Sequence, residues 1–279
     1  MTTVLDVQRF KDEGRRFAML TAYDYLSARI LDEAGIPILL VGDSLGMVML
    51  GYTTTLPVTM DDMLVHAKAV SRGARQALLV GDMPFMSYQV STEEAVRNAG
   101  RFVQEGGMHA VKLEGGGAPI LEITRRLTEA GIPVMGHLGL TPQSVHTMGG
   151  FKVQGKTDTQ AARILKDAKA LEEAGAFSVV LEGMPSALAG RVTKALRVPT
   201  IGIGAGPQTD GQVLVFHDFV GLTTGKAPKF VKRYANLAEE VERAAQRFAE
   251  DVRNGTFPGP EHEYTNGVTP VPQEVKSGA

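Results

Sequence analysis

Cysteine is absent from this 279-residue chain. Disulfides, thiol nucleophiles and thiolate metal sites are thereby excluded, so any metal must be held by oxygen or imidazole. An excess of one charge is also missing, since 29 Lys and Arg face 31 Asp and Glu for a formal net charge of −2. Binding to nucleic acid or to a membrane surface usually rests on a basic excess, so neither is expected. No stretch approaches the ~20 consecutive apolar residues of a membrane span. The segment MTTVLDVQRFKDEGRR lacks the apolar core of an export signal, which makes the cytoplasm the expected location. What is present is ordinary globular material, 43% apolar and 22% charged. That length suits one large α/β domain or two small ones.

One unit recurs. A helix-forming stretch ends in glycine, and a short apolar run starts two or three residues later. It appears as DEAGIPILLVGD (32–43), SRGARQALLVGD (71–82), QEGGMHAVKLEG (104–115), TEAGIPVMGH (128–137) and EEAGAFSVVLEG (172–183). Glycine at these points reads as a left-handed helix C-cap, and the run after it is too short and β-branched for a second helix. Ser91 and Glu94 stand in capping-box spacing at the head of one intervening helix. Ala161, Ile164, Leu165, Ala168 and Leu171 form the apolar face of another. FAMLTAYD (17–24), VPTIGIGAG (198–206) and QVLVFHDFVG (212–221) complete eight strand candidates. Continuous apolar strands alternating with helices imply a parallel sheet covered on both faces. Eight repeats favour an α/β, single-domain (β/α)8 TIM barrel over residues 1–254, with a doubly wound open sheet as the alternative. The last helix is expected within 234–255, followed by a proline-rich tail over 255–279.

The strands finish on a consistent set of polar residues: Asp24, Asp43 with Ser44, Asp82, Lys112 with Glu114, His137 and Glu182. In a parallel barrel all strand C-termini open on one face, where active sites are built from the following loops. Asp24 reads equally as a helix N-cap or a functional group, whereas Asp43 and Asp82 both close a VGD after near-identical strands. The two-residue period of a strand puts Lys112 and Glu114 on the same face. Carboxylates gathered around a single lysine repel one another, and an oxygen-ligated divalent cation is the simplest neutraliser. His137 reads equally as a structural residue or as a ligand or substrate contact. His66 reads as packing, and His109, His146, His217 and His262 have no metal-ligand spacing. The glycines of GIGAG fit either a phosphate-cradling turn or close backbone approach to a ligand or neighbouring loop.

The strings LTAYDY, VGDSLGMVMLGYTTTLPVTMDDM, VKLEGG, PVMGHLGLTPQ, GGFKVQGK, LEGMP and GKAPKFVKRY occur in order between residues 17 and 235. Together they resemble the ketopantoate hydroxymethyltransferase family, with Thr53-Thr54 a minor departure. The resemblance implies a (β/α)8 enzyme of pantothenate biosynthesis that depends on Mg2+. Such an enzyme moves a hydroxymethyl group from 5,10-methylenetetrahydrofolate to 3-methyl-2-oxobutanoate, giving ketopantoate. By motif match, Asp43 and Asp82 would ligate the metal, with Glu114 at or near it. Asp43, Ser44, Asp82 and Lys112 would meet the oxo acid, beside His137, and Glu182 would be the base. The family is typically a large homo-oligomer, often a decamer. No folate-binding motif stands out.

The chemistry agrees with that implication. A 2-oxo acid offers two oxygens to one cation, and loss of the adjacent C–H proton leaves a charge that cation and lysine can stabilise. The enolate then attacks the one-carbon unit, and water completes the product. Glu182 follows Val179, Val180 and Leu181, and an apolar setting would raise its pKa and make it a better base. Three rivals use the same residues: a metal-dependent aldolase or lyase for another 2-oxo acid, a Schiff-base aldolase built on Lys112, and a non-catalytic metabolite sensor.

Overall fold

Each of the eight apolar runs is a strand, and each strand pairs in parallel with the next. In the computed structural model, which describes residues 1–225 and 227–264, the strands are β1 Phe17–Thr21, β2 Ile38–Val41, β3 Leu78–Asp82 and β4 Ala110–Glu114. The second half supplies β5 Val134–Gly139, β6 Ser178–Glu182, β7 Thr200–Ile203 and β8 Gly211–Leu214. β8 returns to β1, closing a (β/α)8 barrel.

Strand periodicity divides the apolar residues between two cores. Met19, Ile38, Leu40, Val80, Met135 and Val180 fill the barrel interior. Their neighbours Leu39, Val41, Leu79, Leu113, Val179 and Leu181 pack outward under the helices. A helix ahead of the barrel, Val4–Asp12, adds Val7 and Phe10 to the interior cluster. Gln8 Nε2 donates to Arg197 O at 3.0 Å, and Lys11 Nζ donates to Asp210 Oδ2 at 2.8 Å. Arg197 and Asp210 lie just before β7 and β8, so this helix seals the N-terminal end. The polar strand ends all lie at the opposite mouth.

Gly35, Gly107, Gly131 and Gly175 have positive φ after their helices, as the repeated unit predicts. Gly73 does not follow that reading. The helix Met60–Gly73 runs through it into extended Ala74, and a Cβ on Gly73 would press on Ala28 Cβ at 3.1 Å and collide with Tyr25 O. Its smallness lets two helices approach, and no left-handed turn is involved. Ser91 caps its helix by accepting from Glu94 N–H at 3.1 Å. β8 is shorter than expected, because the chain breaks into a helical turn, Phe216–Phe219, after Leu214. Around 202–206 the glycine positions abut neighbouring chain: a Cβ on Gly204 would meet Phe230 at 2.8 Å, and one on Gly206 would collide with Ser186. The last long helix is Leu237–Asn254, none of whose residues is buried. Of the tail expected over 255–279, residues 265–279 lie outside the described residues.

Candidate active site

β-sheet register brings the polar strand ends into contact. Asp82 pairs with Lys112 across β3 and β4, and Glu114 with His137 across β4 and β5. Both pairs are buried. Lys112 Nζ lies 2.6 Å from Asp82 Oδ1 and 3.4 Å from His137 Nδ1. His137 stands between two carboxylates, with Nδ1 3.4 Å from Glu114 Oε1 and Nε2 3.2 Å from Glu182 Oε2. Asp43 N–H donates to Asp82 Oδ2 at 3.2 Å, which ties the two VGD ends together. Ser44 sits at the rim, its Oγ 2.9 Å from the buried Tyr23 hydroxyl.

A turn after β5, Pro142–Ser144, braces this group. Gln143 N–H donates to Glu114 Oε2 at 3.0 Å, and Gln143 Nε2 donates to Asp43 Oδ2 and to Met83 O, both at 2.9 Å. Tyr88 O–H donates to Gln143 Oε1 at 2.7 Å and accepts from Glu114 N–H at 3.2 Å. Sequence reasoning assigned no role to Gln143, Tyr88 or Tyr23. For Gln143 a signal was available: Pro142 just past β5 predicts a turn at the mouth that holds the other strand ends.

Four carboxylates, those of Asp43, Asp82, Glu114 and Glu182, share this space with two cationic groups, Lys112 and His137. The imbalance is not shared evenly. Burial, then the charges of Asp82 and Glu114, push Asp43 well above the usual carboxylate range. Burial also raises Asp82, against the pull of Lys112. Burial would raise Glu114 too, but His137, Lys112 and the Gln143 N–H outweigh it and hold the group low. Lys112 is raised, because Asp82, Glu114 and Asp43 outweigh the cost of burying an ammonium. Burial and Lys112 both work against a charged imidazole, yet Glu114 and Glu182 lift His137 to about 9.

The donor set fits a hard divalent cation at one place. Asp82 Oδ1 meets Lys112 alone, at 2.6 Å, and Asp43 and Asp82 are the carboxylates of the cluster whose pKa values are raised. Glu114, by contrast, directs both oxygens to His137 and Gln143. Among the described residues no three His, Cys, Asp or Glu side chains gather as ligands. Two carboxylates suffice for Mg2+, which retains several waters and takes further oxygens from substrate.

Asp24 accepts from Ser27 N–H at 2.9 Å as a helix N-cap. His66 packs with Nδ1 2.6 Å from Tyr23 O, and His109 Nδ1 accepts from Leu79 N–H. Beside the cluster, not above it, opens a cleft of about 1080 Å³ whose walls include Gly115, Thr141 and Ser144. None of Asp43, Asp82 and Lys112 lines it.

A closed (β/α)8 barrel with a buried carboxylate, lysine and histidine cluster at its C-terminal mouth defines a class of barrel enzymes. The same architecture occurs in a phosphonopyruvate hydrolase solved with oxalate and Mg2+, at a TM-score of 0.60 and 16% identity over 91% of this chain and 88% of that one. A 2,3-dimethylmalate lyase of the PEP mutase/isocitrate lyase superfamily matches at 0.60 and 17%, over 95% and 89%. Within that class, residues 1–260 match the model of ketopantoate hydroxymethyltransferase, and the chain belongs to that family. Relatives called 3-methyl-2-oxobutanoate hydroxymethyltransferase include one from Syntrophus aciditrophicus, 61% identical over 92% of this chain and 94% of the relative. Another, from Syntrophotalea carbinolica, is 59% identical over 94% and 98%.

Proposed function

We propose that this chain transfers a hydroxymethyl group from 5,10-methylenetetrahydrofolate to 3-methyl-2-oxobutanoate, giving ketopantoate for pantothenate synthesis. The observation that carries the reading is the bridged array of Asp82, Lys112, His137, Glu114 and Glu182 at one barrel mouth. Membership of the family supports it. Asp43 and Asp82 would hold Mg2+, with Glu114 near it through its contacts to Gln143 and His137. When bound, the cation supplies Lewis-acid polarisation of the oxo acid's oxygens.

The chain's own residues do the rest. Lys112, kept charged by three carboxylates, offers its ammonium to the oxygen on which charge develops. Ser44 and His137 meet the same acid from the rim and the wall. Glu182, with a side chain 17% exposed, can face a substrate entering from the mouth and takes the C3 proton onto its carboxylate. His137 Nε2 faces that carboxylate as a charge partner at 3.2 Å. A Schiff base at Lys112 would require a neutral amine, which this surrounding opposes.

Purified protein supplied with both substrates is expected to form ketopantoate, and to stop when a chelator is added. Oxo-acid cleavage without any need for the folate would overturn the assignment. Location in the cytoplasm and a homo-oligomeric, decameric state complete the proposal. The exposed apolar face of Leu237–Asn254 supports self-association, and no described helix is long and apolar enough to cross a membrane.

A further inference from the structure

We infer that Tyr23 is a positioning residue for this reaction, whose buried hydroxyl aims the Ser44 hydroxyl at the oxo acid, a role that rests on the reading above in which Ser44 meets that acid. Ser44 opens the short helix Leu45–Val48, where a serine hydroxyl usually accepts from a backbone N–H. Its side chain makes no such bond. The partner of its Oγ is instead the Tyr23 hydroxyl, at 2.9 Å. Gly42 keeps the space open for that contact, since a Cβ there would stand 2.8 Å from Ser44 Oγ. Gly42 has no positive φ, so what this glycine supplies is room.

Tyr23 is held on several sides. It lies two residues beyond β1 and is 1% exposed. His66, on the helix Met60–Gly73, brings its Nδ1 within 2.6 Å of Tyr23 O. His217, in the turn Phe216–Phe219 after β8, sets its ring 5.5 Å from the phenol ring, centroid to centroid. Burial keeps the phenol protonated, well above its ordinary range, although its bonds to Ser44 and Thr21 pull the other way. A fixed phenol with a proton to give can therefore set the orientation of the rim hydroxyl beside it.

The direction of the chain follows from its far end. Phe216 N–H donates to Thr21 Oγ1 at 2.8 Å, which leaves Thr21 its own proton for Tyr23. Tyr23 O–H then donates to Ser44 Oγ, and the Ser44 proton is free for an oxygen of the acid. Each bond of such a chain polarises the next. An unconstrained serine divides its time among three staggered χ1 wells, so holding the competent one is worth about threefold in affinity. A phenol that only satisfied its own buried hydroxyl would affect stability and leave that affinity alone.

The test is a double-mutant cycle on binding of 3-methyl-2-oxobutanoate, followed by calorimetry with Mg2+ present. Ser44→Ala should weaken binding by at least about tenfold, the worth of a hydrogen bond to a charged group. Tyr23→Phe should weaken it by about three- to tenfold, and the double variant should stay within about twofold of Ser44→Ala alone. Gly42→Ala, which pushes Ser44 Oγ off the phenol, should match Tyr23→Phe by itself and add nothing beside Ser44→Ala; it decides the matter if Tyr23→Phe does not fold. Unchanged affinity in Tyr23→Phe, even with reduced resistance to urea, would make the phenol merely structural and overturn the inference. Additive losses in the double variant, or unchanged affinity in Ser44→Ala, would overturn it too. Binding requires no turnover, so failure of wild type to make ketopantoate would count against the proposed reaction alone.

Discussion

At the scale of single residues, the site holds more negative charge than it can balance, and this yields distinct expectations. Asp43 is the group most opposed to ionisation. Its folded-state pKa lies above the unfolded value, so its ionisation disfavours the folded protein at neutral and higher pH. Asp43→Asn should therefore stabilise the metal-free protein at pH 8; with Asp43 in the metal site, Mg2+ should raise the stability of wild type and leave that of the variant unchanged. Urea unfolding with and without chelator measures both, and an unchanged Mg2+ response would remove Asp43 from the metal site. His137 has the opposite sign. Its folded value of about 9 lies above the unfolded ~6.5, so its contribution is full below about 6.5 and is lost as pH rises through about 9. Ring-nitrogen NMR of metal-free protein should find the imidazole still cationic at pH 8. Glu182→Gln keeps the shape and loses the base. It should bind the oxo acid yet lose roughly 10²–10⁴-fold in rate, read without folate as exchange of the substrate's C3 hydrogen into deuterated water. Undiminished exchange would take Glu182 out of the chemistry.

At the scale of elements, the turn Pro142–Ser144 has the largest consequence for its size. Through Gln143 it fixes Asp43, Glu114 and the Met83 carbonyl in one stroke. Gln143→Leu should cost about 1–3 kcal/mol, the usual range for leaving buried polar partners unpaired. It should also lower kcat more than it raises KM for the oxo acid, because the carboxylates lose their alignment while the Lys112 contact persists. Steady-state kinetics beside thermal unfolding would show this; a variant weakened in stability alone would make the turn merely structural. The strands carrying the site were legible in sequence, since each is a short apolar run behind a helix and ends on a polar residue. Gly73 was not, because glycine at a helix end reads alike whether it turns the chain or admits a neighbouring helix.

At the scale of the whole molecule, the barrel is satisfied internally, and the helix after it is not. Leu237, Val241, Phe248 and Val252 recur at helical spacing and all are exposed, although an amphipathic helix buries such a face when it can. A homo-oligomer that covers this face is the expected state. Val241→Asp/Phe248→Asp should shift the protein to smaller species in sedimentation velocity. If the variant keeps the wild-type mass, the helix does not hold the assembly together.

Sequence alone determined the architecture, because the short apolar runs of the strands recur eight times between helical stretches, and the glycine caps and polar strand ends that punctuate several of them are local properties too. It also placed Asp43, Ser44, Asp82, Lys112, Glu114, His137 and Glu182 at one mouth, since closure of a parallel barrel sends every strand end the same way. Only the tertiary structure decided how they pair. Lys112 meets Asp82 of the neighbouring strand rather than Glu114 of its own, and His137 lies between Glu114 and Glu182, because these contacts depend on inter-strand register, which no local pattern encodes. The same is true of Gln143 and Tyr88, neutral residues on loops that become important only when the carboxylates they bond are brought beside them.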